Sequence, residues 1–210
     1  MSEASNRAGE YPPVVTMFEL YGGGAVTIGE RVAERLGLPF HGQAFTSGVI
    51  AGQASGDDAE NRAVLTNVLA LLGGAYSALE DREIVRTQGD KYSLIEDNTR
   101  TVKQFAQEGG VIMGRNATVI LADRPNTLHV LLTGDVADRV KRAAQDLGIS
   151  EAESAKRRAH EEDLRRQMSR TLYGWDPALP DRYDMLLNTS RVSVDAAVNA
   201  IVDAIQHQTT

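Results

Sequence analysis

The chain has 210 residues, 42% of them apolar and 24% charged, with 22 basic against 29 acidic side chains and a net charge of −7. That length suits one domain with a real core, no apolar run approaches the roughly 18 residues of a membrane span, and Met1 to Glu10 lacks the apolar stretch of a secretory signal. The absence of cysteine removes disulfides, thiolate metal sites and cysteine nucleophiles, and so acidic a body is a poor binder of nucleic-acid polymers; a cytoplasmic protein, monomeric or homodimeric, is expected.

Residues 1–13 read as a flexible tail closed by Pro12-Pro13, and 14–208 as a single domain. Val14 to Phe18 is a short apolar, β-branched run of the kind that forms a strand covered on both faces. Val111-Ile112-Met113, Leu128 to Leu132 and Met185-Leu186-Leu187 look alike. Helical periods separate them. Ile28, Val32 and Leu36 share one face, with Gly37 as the stop. Leu65, Val68, Leu69 and Leu72 form a second stripe, suited to internal packing or a dimer contact, and Val102, Phe105 and Ala106 a third, ended by Gly109-Gly110. Asp135 is placed to cap a helix carrying Val136, Val140, Ala143 and Leu147, stopped by Gly148. Ser193 is placed to cap a last helix with Val194, Val198, Ile201 and Ile205 inward. This alternation predicts a parallel α/β sheet with right-handed crossovers. Residues 41–100 and 150–182 show no strand and read as insertions on the sheet scaffold, where α/β proteins usually hold substrates.

The first strand runs into Tyr21-Gly22-Gly23-Gly24-Ala25-Val26-Thr27, where a helix begins. Glycines between a strand end and a helix N-terminus let backbone N–H groups converge on an anion, and the helix dipole adds to the attraction. Gly22, Gly23, Gly24, Ala25, Val26 and Thr27 are therefore candidate phosphate ligands, with a tight turn lacking any ligand as the alternative. The motif G-x-x-x-x-G-K-[ST] is incomplete. With Gly24 as its last glycine, Ala25 stands at the lysine position and Glu19 at the first glycine; Thr27, one place late, offers a hydroxyl to a metal ion.

Arg115-Asn116 follow the strand at Val111, at the edge of the sheet where ligands sit, and the arginine fork suits phosphate. Residues 139–170 hold nine basic and six acidic side chains, leaving 13 basic and 23 acidic elsewhere. A flap containing Arg157, Arg158, Asp163, Arg166 and Arg170 is suited to close over a polyphosphate. The alternative is a solvated helix laced with pairs such as Arg158–Glu162 and Glu162–Arg166. The four histidines lack metal-ligand spacing, and Trp175-Asp176-Pro177 reads as a turn, with the tryptophan a packing anchor.

Five segments in order resemble the cytidylate kinase-like family of P-loop nucleoside monophosphate kinases. They are Tyr21 to Gly24 with Ile28-Gly29 and Leu36 to Phe40; Val111 to Ala117; Asp138 to Arg142; Asp163 to Arg166; and Tyr183-Asp184 with Leu187 to Ser190. The resemblance implies a three-layer P-loop kinase-like fold with a five-stranded parallel sheet, a helical acceptor-binding insertion and an arginine-rich lid. It implies transfer of the ATP γ-phosphoryl group, with Mg2+, to a small nucleotide such as CMP. Gly22 to Thr27 would cradle the donor phosphates, Thr27 would face the metal, Arg115 and Asn116 would meet the acceptor, and Asp163, Arg166 and Arg170 would serve catalysis from the lid. Members of this branch usually carry Ser-Arg where this chain has Phe18-Glu19, and Glu19 puts negative charge beside the phosphates unless it turns away or serves a metal. A non-catalytic nucleotide-binding protein and a kinase for another small metabolite remain alternative readings.

Overall fold

The computed structural model describes residues 11–46, 50 and 81–208, of which 81–90 as backbone alone. The Leu65–Leu72 stripe, most of the tail and much of the insertion lie outside the described residues. In chain order the elements are β1 (Val14–Glu19), α1 (Ala25–Leu36), β2 (Phe40–His41), α2 (Asp81–Glu108), β3 (Gly110–Met113), α3 (Ala117–Ile120), β4 (Thr127–Thr133), α4 (Val136–Leu147), α5 (Glu151–Tyr173), β5 (Met185–Asn188) and α6 (Val194–Gln206). A 3-10 turn at Pro180–Arg182 leads into β5.

The five strands are parallel and ordered β2-β3-β1-β4-β5. β1 is central: the chain leaves it to build one side of the sheet, then crosses back to build the other. A crevice opens at such a reversal, beyond the carboxyl ends of the strands. Val14, Val15 and Met17 are buried because helices cover both faces. On one face α1 and α6 pack Ile28, Val32, Val198 and Ile201 against Val15, Met17 and Val130. On the other, Val102 and Ala106 of α2 and Ala117 of α3 meet Val14 and Ile112.

Gly37 and Gly148 end their helices in the left-handed conformation, and Ser193 caps α6 by accepting from the Ala196 N–H at 3.2 Å. Ser150 caps α5 in the same way, through the Glu153 N–H. Three expectations change. Asp135 stands at the N-cap of α4 but its side chain makes no capping bond; its backbone N–H instead donates to Ser190 Oγ at 2.8 Å. Val194, expected inward, is exposed on the first residue of α6, and Val136 and Leu147 are likewise exposed on the first and last residues of α4. Within 41–100 the chain is not free of strand: His41 completes β2, pairing with Ile112.

Candidate functional site

The loop from β1 to α1 is held by backbone geometry and by α4. Gly22 and Gly24 adopt φ of +73° and +87°, the left-handed region that glycine tolerates best. A Cβ on Gly22 would lie 2.1 Å from the Arg139 carbonyl oxygen, so α4 can press onto the loop only over glycine. Arg139, nearly fully buried, donates to the Tyr21 carbonyl, the Gly134 carbonyl and Glu162. Arg142 donates to the Gly22 carbonyl at 2.5 Å and to the hydroxyl and carbonyl of Thr189. Two arginines of the basic stretch thus brace loop carbonyls. Ala25 is buried, whereas Val26 and Thr27 expose their side chains on the first turn of α1.

Glu19 is turned into this loop. Its Oε2 accepts the Ala25 N–H at 3.0 Å, so an internal carboxylate takes a donor that a helix N-terminus offers to anions. Burial raises the Glu19 pKa; the N–H groups of Ala25 and Gly24 and the nearby Arg165 and Arg142 pull it partly back.

Beside Glu19 opens a cavity of about 650 Å³, between the carboxyl ends of β1 and β3, helix α2 and the far half of α5. Arg115 projects at its edge. The backbone there is unusual: Gly114, Arg115 and Asn116 follow one another with φ of +69°, +56° and +54°. For the two non-glycine residues that conformation costs on the order of 1–3 kcal/mol each. Arg115 Nε donates to the Gly42 carbonyl at 3.0 Å, and its guanidinium lies 5.6 Å over the ring of Phe105, which stacks on His41 at 3.8 Å. No carboxylate pairs with Arg115 among the described residues. Burial lowers its pKa, and the residue as a whole is half-buried. Asn116 Oδ1 accepts from Trp175 Nε1 at 2.8 Å.

The lid helix distributes its arginines unevenly. Arg157 pairs with Glu153 and Arg158 with Glu162, both in the first half of α5. Arg166 and Arg170 both reach Asp176, so Glu162 takes Arg139 where Arg166 was the anticipated partner. Asp163 is exposed and accepts from Gln167. None of these five side chains lines the main cavity; Arg166 borders a small cleft beside Glu19 and Tyr21. Arg165 does line the cavity, held by Glu161 at 2.7 Å and reaching Gln43 and the Phe45 carbonyl. The sequence carried a signal for it. At ~100° per residue, Leu164, Met168 and Leu172 mark the inward face of α5, and Arg165 falls beside it while Asp163, Arg166 and Arg170 fall behind. Asn98 and Phe105 of α2 were likewise missed as contributors to the cavity.

Beneath the cavity, His129 Nδ1 and Thr16 Oγ1 are hydrogen-bonded at 2.7 Å, and Thr16 Oγ1 lies 3.1 Å from Thr118 Oγ1. The described residues hold no cluster of three metal-ligating side chains and no helix long and apolar enough to cross a membrane.

Residues 14–191 match the model of the cytidylate kinase-like family. A cytidylate kinase of Methanopyrus kandleri is 27% identical over 201 residues, covering 91% of this chain and 92% of that protein. A uronate isomerase of Corynebacterium glutamicum is 33% identical over 110 residues, 52% of this chain, and the match spans only 21% of the isomerase. Among solved structures, an uncharacterized protein from Eubacterium ventriosum superposes with a TM-score of 0.65 at 18% identity, covering 93% of this chain and 99% of that one, a likeness of fold.

Proposed function

The chain belongs to the cytidylate kinase-like family, and we propose that it is an ATP-dependent phosphotransferase whose acceptor is a nucleoside monophosphate such as CMP. The observation that carries this reading is Arg115: a half-buried guanidinium with no carboxylate partner among the described residues, at the edge of a cavity of about 650 Å³ beside the glycine loop. Such a cation needs an anion, and its fork suits the acceptor's phosphate.

The donor triphosphate lies along Gly22 to Thr27; the Gly23 N–H already donates to the Leu20 carbonyl and the Gly24 and Ala25 N–H groups to Glu19, so the N–H groups of Gly22, Val26 and Thr27 face it. An oxygen of the acceptor phosphate attacks the γ-phosphorus, the bond from that phosphorus to the β,γ-bridging oxygen breaks, and ADP leaves with the electron pair. Arg165, at the junction of cavity and loop, stabilises charge on the transferring group from the side where Arg166 and Arg170 steady the lid through Asp176. The Thr27 hydroxyl, exposed on the first turn of α1, is a hard oxygen donor of the kind magnesium prefers; magnesium held there would neutralise charge on the donor phosphates. Ala25 in place of a lysine, and Glu19 on the Ala25 N–H, favour a second reading, a nucleotide-binding protein without turnover.

Titrating ATP with magnesium calorimetrically, then following ADP production over a panel of monophosphates, separates the two. Turnover with CMP or a related acceptor supports the kinase; binding without turnover on any acceptor supports the second reading; no binding refutes both. In a turning-over enzyme, Arg115→Ala weakens acceptor binding by about tenfold to a hundredfold, the worth of a charge-assisted hydrogen bond, and leaves ATP affinity within twofold. Equal loss for both ligands contradicts its assignment.

A further inference from the structure

The turn that carries Arg115 is not held by its own strand alone. Arg115, left-handed at φ +56° between Gly114 and Asn116, is the most strained member of this turn and persists where surrounding contacts impose it. Two contacts come from residues on either side of Gly174, at the carboxyl end of the lid helix. Trp175 Nε1 donates to Asn116 Oδ1 at 2.8 Å. Tyr173 Oη accepts at 2.6 Å from Asn98 Nδ2, and the same amide nitrogen donates at 2.8 Å to the Arg115 carbonyl. Because a carbonyl only accepts, the Asn98 amide can face it in one orientation alone.

The first contact displaces a simpler arrangement. Asn116 stands at the N-cap of α3, where an asparagine ordinarily bonds the helix's own first turn, yet it makes no capping bond; its oxygen is given to the indole. Trp175 itself is buried and packs at 6.0 Å from the Tyr183 ring, so the partner it presents to Asn116 is fixed in place. One residue further on, Asp176 gathers Arg166 and Arg170 of the lid.

We propose that Asn98 and Trp175 are positioning residues. Together they clasp the end of the lid onto the Gly114–Asn116 turn, set the direction of the Arg115 guanidinium, and make lid and acceptor-holding turn move as one unit. This inference rests on the reading of Arg115 as the acceptor's phosphate ligand. It adds that the ligand's aim is set from the lid, so that acceptor binding and lid position are coupled.

The test uses the full chain with Trp175→Phe, which keeps an aromatic ring but removes the N–H donor and part of the indole's bulk, and Asn98→Ala. The first readout needs no ligand: NMR relaxation of the Arg115 Nε–Hε group and hydrogen exchange at the Arg115 and Asn116 amides. Both variants are expected to mobilise the guanidinium and speed exchange at the turn, and unchanged order in both overturns the clasp. The second readout is calorimetric affinity for CMP and, separately, for ATP with magnesium. The clasp predicts that CMP binding falls by about tenfold, the loss of one buried hydrogen bond, while ATP binding stays within twofold. Equal loss for both ligands is the mark of general destabilisation and also overturns it. Trp175 is the chain's one tryptophan, so wild-type emission is expected to shift on adding CMP but not ATP. If wild-type protein binds no monophosphate, the acceptor reading falls, and the relaxation and exchange data still decide the clasp.

Discussion

Replacing Glu19 with glutamine removes one negative charge from the glycine loop while leaving an amide oxygen that can accept the Ala25 N–H. In the wild type the carboxylate holds that N–H at 3.0 Å, close to where a donor phosphate must sit. Two unit charges about 5 Å apart at an effective dielectric near 20 repel by roughly 3 kcal/mol. The loop is open to water on the side of the cavity, and screening there reduces the figure to about 1.5–3 kcal/mol. A neutral amide also competes for the N–H with about half the strength of a carboxylate. Glu19→Gln is therefore expected to bind ATP tenfold to a hundredfold more tightly, since every 1.4 kcal/mol is about a factor of ten. Calorimetric titration of ATP with magnesium against both proteins measures it. An unchanged dissociation constant refutes the competition, and weaker binding in the variant shows instead that Glu19 assists the donor.

Gly22→Ala meets both a positive φ and a backbone oxygen 2.1 Å from the new methyl group; a loss of about 3 kcal/mol in urea unfolding is expected, and a loss under 1 kcal/mol would mean that α4 readily moves off the loop. His129 is buried, and burial lowers its pKa from the usual 6.5, with Asp184 pulling partly back. The unfolded chain then takes up a proton before the folded one as the pH falls through about 6.5, so stability is lost on acidification below that point. The melting-temperature advantage of wild type over His129→Asn is expected to shrink between pH 7.5 and pH 5.5, and a constant gap contradicts a neutral buried ring.

What was legible in the sequence followed from strong local patterns. Four apolar runs became β1, β3, β4 and β5 because both faces of the inner strands are covered, and Gly37, Gly148 and Ser193 end or start helices as their chemistry dictates. β2 is two residues long, too short for any periodicity to register. Helix α2 runs through 28 residues of mostly polar sequence, and only its last turns, around Val102 and Ala106, carry an apolar stripe. The glycine loop was visible as a pattern. The direction of Glu19 was not, because residue types along the chain do not say that its carboxylate turns back onto the Ala25 N–H. In the lid, composition showed where the arginines are but not which way they point: on a helix this polar, three apolar side chains decide the face.

That difference changes the charge argument. Seven of the nine basic residues of the 139–170 stretch, all of its arginines, are engaged inside the protein rather than forming a free positive surface. Arg139 and Arg142 support loop carbonyls, Arg157, Arg158 and Arg165 pair along the helix, and Arg166 and Arg170 converge on Asp176. Among the described residues the cavity is lined by Arg100, Arg115 and Arg165 against Glu19 and Asp97, one positive charge in excess. Arg100 and Asp97 pair with each other, and Arg165 is held by Glu161. On the proposed reading the acceptor sits in the cavity with Arg115 and the donor along the glycine loop, with Glu19 at their boundary.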